Sequence, residues 1–200
     1  DLLFRGEIPE GVDPASLMKV DRLADHPEYQ NRDARVKILD KQNLETVFML
    51  PGGGAAFLVD ALGRSGLEYV PMLHEQGAAF AAVAYGQLRG LGVCLSTSGP
   101  GATNAVTGCA AAWADSAPVL FISGQPNSWT LVQHTGLRTR GVQEIDIIPV
   151  VKPITKAAYQ AQTALEVSVY LDRFIEIAKA GRQGPTWLSI PLDVQAMEAE

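Results

Sequence analysis

Cysteine is nearly absent: Cys94 and Cys109 are the only two among 200 residues. Both lie in apolar runs without metal-ligand spacing, so two buried, reduced thiols are expected, with neither a disulfide framework nor a zinc site. Positive charge is also scarce. The 16 Lys and Arg residues are scattered and face 22 Asp and Glu, a net charge of -6 that argues against nucleic-acid binding. No apolar run approaches the ~18 residues of a membrane span. The first twenty residues are broken by charge and proline and make no secretory h-region. Ser98 stands in no G-x-S-x-G elbow. His74-Glu75-Gln76-Gly77-Ala78 has alanine where an H-E-x-x-H zinc protease needs its second histidine. These absences leave a cytoplasmic α/β protein with a small-molecule task.

What is present can build a core, since 47% of the residues are hydrophobic and only 19% charged. Residues 1–33 carry Pro9, Pro14 and Pro27 among many charges and read as an irregular N-terminal arm. Residues 34–195 read as one domain, and 196–200 as the start of a linker. Ala34–Leu44 has rough helical spacing. Short β-rich runs then alternate with helical segments. Strands are expected at Thr46–Leu50, Glu68–Met72, Gly92–Ser96, Pro118–Ser123, Ile154–Tyr159 and Thr186–Ile190, and helices at Ala55–Arg64, Gln76–Arg89, Ala102–Ala114 and Thr163–Ala180. The runs VFML, GVCL and VLFIS have no polar alternate, as strands covered on both faces require. The pattern predicts a doubly wound, open parallel sheet of about six strands with helices on both faces. The alanine-rich stretch Ala78–Ala84 would let its helix lie close to the sheet or to a partner helix.

In such folds ligands sit beyond the C-terminal ends of the strands. Four turns there are glycine-rich or polar: Pro51-Gly52-Gly53-Gly54, Leu73-His74-Glu75-Gln76-Gly77, Thr97-Ser98-Gly99-Pro100-Gly101-Ala102-Thr103-Asn104, and Gly124-Gln125-Pro126. Each has a plain structural reading, as a tight connection or, for Glu75, as a carboxylate at a helix N-terminus. A dinucleotide fingerprint is poorly met. Asn104 replaces the third glycine, and Ser123-Gly124-Gln125 stands where the acidic residue belongs.

Taken together, VFMLPGGG, LHEQGAAFAAVAYG, GVCLSTSGPGATNAVTG, WADSAPVLFISGQ, GVQEID, VVKPITK and GRQGPTWLSIPLDV are more specific than any one of them. In this order and spacing they resemble the N-terminal, pyrimidine-binding domain of thiamine-diphosphate-dependent enzymes of the acetohydroxyacid (acetolactate) synthase type, over about residues 45–195. The resemblance implies that Glu75, at the HEQ position, hydrogen-bonds N1′ of the cofactor's aminopyrimidine and thereby promotes loss of the thiazolium C2 proton. A poorly solvated carboxyl suits that task. It further implies that Thr97, Pro100 and Asn104 line the pyrimidine, that Gly52 and Gly53 permit close backbone approach, and that Gln125 faces the substrate side as a second catalytic residue. The implied reaction decarboxylates a 2-keto acid such as pyruvate and joins the remainder to a second carbonyl.

Two departures matter. Leu50 stands where the synthases usually carry an aromatic residue before the Pro-Gly-Gly turn. The G-D-G…N motif that binds Mg²⁺ and the diphosphate in the family does not occur in this chain. The metal and diphosphate are therefore expected on another domain or subunit, any FAD in a middle domain, and the assembly as a homodimer or larger. Two other readings stay open: a non-catalytic pyrimidine-binding-like module for assembly or regulation, and a carboligase acting on a keto sugar nucleotide.

Overall fold

The computed structural model describes residues 44–132 and 135–197. The expected arm and all of the Ala34–Leu44 segment except Leu44 lie outside the described residues. Six strands, β1 (Thr46–Met49), β2 (Glu68–Pro71), β3 (Gly92–Ser96), β4 (Val119–Gln125), β5 (Ala157–Gln160) and β6 (Thr186–Pro191), form one sheet in the order β2-β1-β3-β4-β6-β5. Every neighbouring pair runs parallel. The helices are α1 (Ala56–Gly63), α2 (Glu75–Arg89), α3 (Pro100–Asp115), α4 (Ile147–Val151), α5 (Ala164–Lys179) and α6 (Leu192–Ala196). The expected α/β architecture is present.

Strand periodicity divides the core into two layers. Val93, Leu95, Leu120, Ile122, Leu188 and Ile190 face one layer, where Leu62 of α1, Phe174 and Ile175 of α5 and Val194 of α6 pack. Their alternates Cys94, Val119, Phe121 and Trp187 face the other, against Ala78, Ala79 and Ala82 of α2, Ala105, Cys109 and Ala112 of α3, and Ile147 and Val151 of α4. Every residue of β3, β4 and β6 is buried, which explains the apolar runs GVCL of β3 and VLFI of β4. The largest buried side chain, Trp187, stacks on Phe121 at 5.1 Å and donates Nε1–H to Ser123 Oγ at 3.0 Å.

Small residues set the second layer. A Cβ at Gly108 of α3 would lie 2.4 Å from Ala79 Cβ, so α2 and α3 approach to backbone distance. Ala78, Ala79 and Ala82 of α2 therefore serve packing inside the chain. Phe80 and Leu88 remain exposed on its outer side. α5 is capped by Thr163, whose Oγ1 accepts from Glu166 N–H, and Glu166 Oε2 reaches back to accept from Gln162 N–H, one residue before the cap.

Three local differences from the sequence reading have simple causes. Leu192–Ala196 is one and a half turns of helix, too short for periodicity to reveal. Ile147–Val151 is helical in a run that reads as loop because of Pro149 and Pro153. Ile154 belongs to a 3-10 turn, Lys152–Ile154, so β5 starts later than its apolar content suggests.

Both thiols are buried, as expected. Burial, and then the nearby negative charge of Glu75, pushes Cys94 up to about 12, and burial also raises Cys109. The ordinary value is 9.0, so above pH 9 the unfolded chain releases protons that the folded chain keeps. Stability contributed by the thiols is full below that pH and is lost as pH rises toward the folded values. The urea midpoint should fall between about pH 8 and about pH 10.5, and fall less in a Cys94→Ala/Cys109→Ala variant. Equal falls in the two proteins would refute this.

Candidate functional site

Chain direction makes the site. From β1 the chain passes through α1, on the first layer, to β2 at the edge; from β3 it passes through α3, on the second layer, to β4 on the other side. The strand order thus reverses between β1 and β3, and a crevice opens past their C-terminal ends. Its two lips are Pro51–Gly54 and Thr97–Gly101.

The lips touch at defined points. Gly54 N–H donates to Thr97 Oγ1 at 3.0 Å. A Cβ at Gly52 would lie 2.6 Å from Thr97 Cβ, so that contact requires glycine. Gly53, by contrast, faces open space. The crevice floor is formed by backbone and a half-buried threonine, with room above Gly53.

Glu75 reaches this crevice from the start of α2. His74, not Glu75, caps the helix: its Nδ1 accepts Gln76 N–H at 3.1 Å. The Glu75 carboxylate is free of that task, although its residue is only 7% exposed. Its Oε2 accepts a hydrogen bond from Asn104 Nδ2 at 3.0 Å. Its Oε1 lies 3.0 Å from where a Cβ on Gly101 would stand, and Thr97 Cγ2 lies 2.6 Å from that same point. Glu75, Thr97, Gly101 and Asn104 therefore meet at one place. Among the described residues no donor is bonded to Oε1. Pro100 occupies the first position of α3, exposed on the same rim, where its missing N–H costs nothing.

Gln125 is elsewhere. Only 2% exposed, it points with Phe121 and Ser123 to the second layer, and its Nε2 donates to Ile145 O at 2.7 Å and Gln160 Oε1 at 3.4 Å. The structure holds it against the chain following residue 144, away from open space.

Two residues escape the sequence reading. Gln143 is a non-glycine residue at φ 54°, and its carbonyl presses on the start of α3: a Cβ on Gly99, itself at φ 54°, would lie 1.8 Å from Gln143 O. Glu144, buried beside it, accepts N–H bonds from Val132, Arg140 and Gly141. The only sequence signal was the match of GVQEID, which says nothing of backbone strain.

Chemically, the site offers a nearly buried carboxyl with one oxygen bonded to an amide and the other turned to glycine backbone beside an open space. Such a group can exchange a proton with a planar nitrogen heterocycle laid in the crevice. Among the described residues, no group of three His, Cys, Asp or Glu side chains could hold a metal ion.

Comparison with known proteins gives the chain's family. The model of the family "Thiamine pyrophosphate enzyme, N-terminal TPP binding domain" matches residues 31–150. The chain is 38% identical over 169 residues to the "Probable acetolactate synthase large subunit" of Methanococcus aeolicus, covering 84% of this chain and 27% of that protein. It is 40% identical over 161 residues to the "Acetolactate synthase isozyme 2 large subunit" of Escherichia coli, covering 80% and 28%. It is 36% identical over 178 residues to "Acetolactate synthase, chloroplastic" of Arabidopsis thaliana, covering 88% and 26%. The chain spans about a quarter of the length of these relatives.

Proposed function

Because the chain belongs to the thiamine pyrophosphate enzymes, by their N-terminal TPP-binding domain, we propose that it supplies the aminopyrimidine half of a thiamine diphosphate site. The enzyme it serves decarboxylates a 2-keto acid, which we take to be pyruvate-like, and joins the product to a second carbonyl. One observation carries this reading: a carboxyl placed at a helix start, relieved of capping by His74, and turned instead to Asn104 at the strand-reversal crevice.

In this reading Glu75 Oε1 meets N1′ of the pyrimidine and shares its proton, while Asn104 fixes the plane of the carboxyl. Thr97 and Pro100 flank the ring, and Gly53 leaves room for it over the backbone. Gly52 lets Thr97 close the floor. When bound, the cofactor supplies an electron sink for the carbon from which carbon dioxide leaves. Gln125, buried and bonded to Ile145 O, is not at the substrate side; its part in this reading is to hold the chain that follows residue 144. Mg²⁺ and the diphosphate belong to a diphosphate-binding domain or subunit, and any FAD to a further domain. No helix among the described residues is long and apolar enough to cross a membrane, which fits a cytoplasmic enzyme. The exposed Phe80 and Leu88 of α2 and the fully exposed Leu73 before it supply an apolar face for a second copy of the chain.

Titration with 2-methyl-4-aminopyrimidine, followed by ¹H–¹⁵N NMR, tests the placement. The amides of Gly53, Gly54, Gly101 and Asn104 should shift, and the shifts should vanish in Glu75→Gln. Shifts scattered over α5 and β5 instead would refute it.

A further inference from the structure

We propose that Glu144 is a positioning residue, whose carboxylate gathers the backbone of Val132, Arg140 and Gly141 so that Gln143 is held against the start of α3 at the crevice rim. The proposal rests on the cofactor reading above.

After β4 comes a 3-10 turn at Ser128–Thr130, and the described residues 135–146 form no helix or strand before α4. Glu144 organises this stretch from inside. Only 8% exposed, it accepts N–H bonds from Val132 at 2.6 Å, Gly141 at 2.9 Å and Arg140 at 3.1 Å. A carboxylate offers acceptors only, so three converging backbone donors suit it and would suit an amide poorly. Its own N–H returns to Gly141 O at 3.2 Å. One residue on, the Ile145 carbonyl is held by Gln125 Nε2 at 2.7 Å.

Gln143 thus sits next to two pinned residues, yet is itself exposed and at φ 54°. Glutamine does not keep that conformation unaided; strained residues persist where their surroundings over-determine them. What the strain achieves is contact. The Gln143 carbonyl packs where only Gly99 leaves space, two residues before the Gly101 that touches Glu75 Oε1. Glu144 touches neither of these groups. It fixes the backbone that borders them.

The test is Glu144→Gln in the complete enzyme, assayed with thiamine diphosphate, Mg²⁺ and pyruvate. The kcat/KM for pyruvate and the rate of C2-proton exchange should both fall about tenfold or more, while cofactor affinity stays within about twofold. Trypsin should cut faster after the exposed Arg138 and Arg140. Glu144→Asp, which keeps the charge on a shorter arm, should recover part of the loss, and it replaces the glutamine variant if that one does not fold. A kcat/KM within about twofold of the parent, with or without faster cleavage, overturns the proposal. So does a parallel loss of cofactor affinity, which would mark general damage. The cofactor reading stands or falls separately, on whether Glu75→Gln slows exchange.

Discussion

Replacing Glu75 by glutamine will slow exchange of the bound cofactor's C2 proton by about 10²–10⁴-fold, the usual worth of a positioned acid–base group. The substitution keeps volume and shape, and the oxygen of the introduced amide can still accept from Asn104 Nδ2. What disappears is a group able to share a proton with a ring nitrogen. Because His74 carries the capping bond, α2 should remain intact and the melting temperature should change little. The measurement is exchange into D₂O, followed by ¹H NMR of the acid-quenched cofactor. Unchanged exchange would reduce Glu75 to a structural carboxylate at a helix start.

Gly99→Ala should be the most destabilising single change at the site, by about 2–5 kcal/mol. Two independent costs add. An L-residue at φ 54° is strained, and the new methyl would meet the Gln143 carbonyl at 1.8 Å, forcing backbone apart as in an overpacked core. Gly53→Ala is the matched control. That position faces open space, so its urea midpoint should stay close to the parent's while cofactor binding weakens. The reverse order of stabilities would contradict the placement of both lips.

Much of this was legible because strands buried on both faces leave an unmistakable trace. GVCL and VLFI are apolar throughout, and every residue of β3 and β4 is buried. The glycine turns were equally open to reading, since contact with Thr97 at Gly52 excludes a side chain. Glu75 was placed by resemblance. The residue that caps its helix, however, is decided by a hydrogen bond of His74 that no spacing announces. Gln125 shows how period-two logic could have gone further: it shares a face with Phe121 and Ser123, against Trp187, and so turns inward. Gln143 was beyond reach. Its positive φ arises from bonds made by Glu144 and Gln125 to distant or neighbouring backbone, and nothing in the tripeptide Val142-Gln143-Glu144 encodes it.

The central claim is a contact between Glu75 and N1′ of the aminopyrimidine, and a double cycle measures it most directly. C2-proton exchange is followed in the complete enzyme for the parent and for Glu75→Gln. Each is loaded in turn with thiamine diphosphate and with the analogue that carries CH in place of N1′. If the two groups act as one unit, each change alone slows exchange by about 10²–10⁴-fold and both together slow it no further. Losses that multiply would show that Glu75 and N1′ act independently, and that the carboxyl at this crevice is not the pyrimidine's partner.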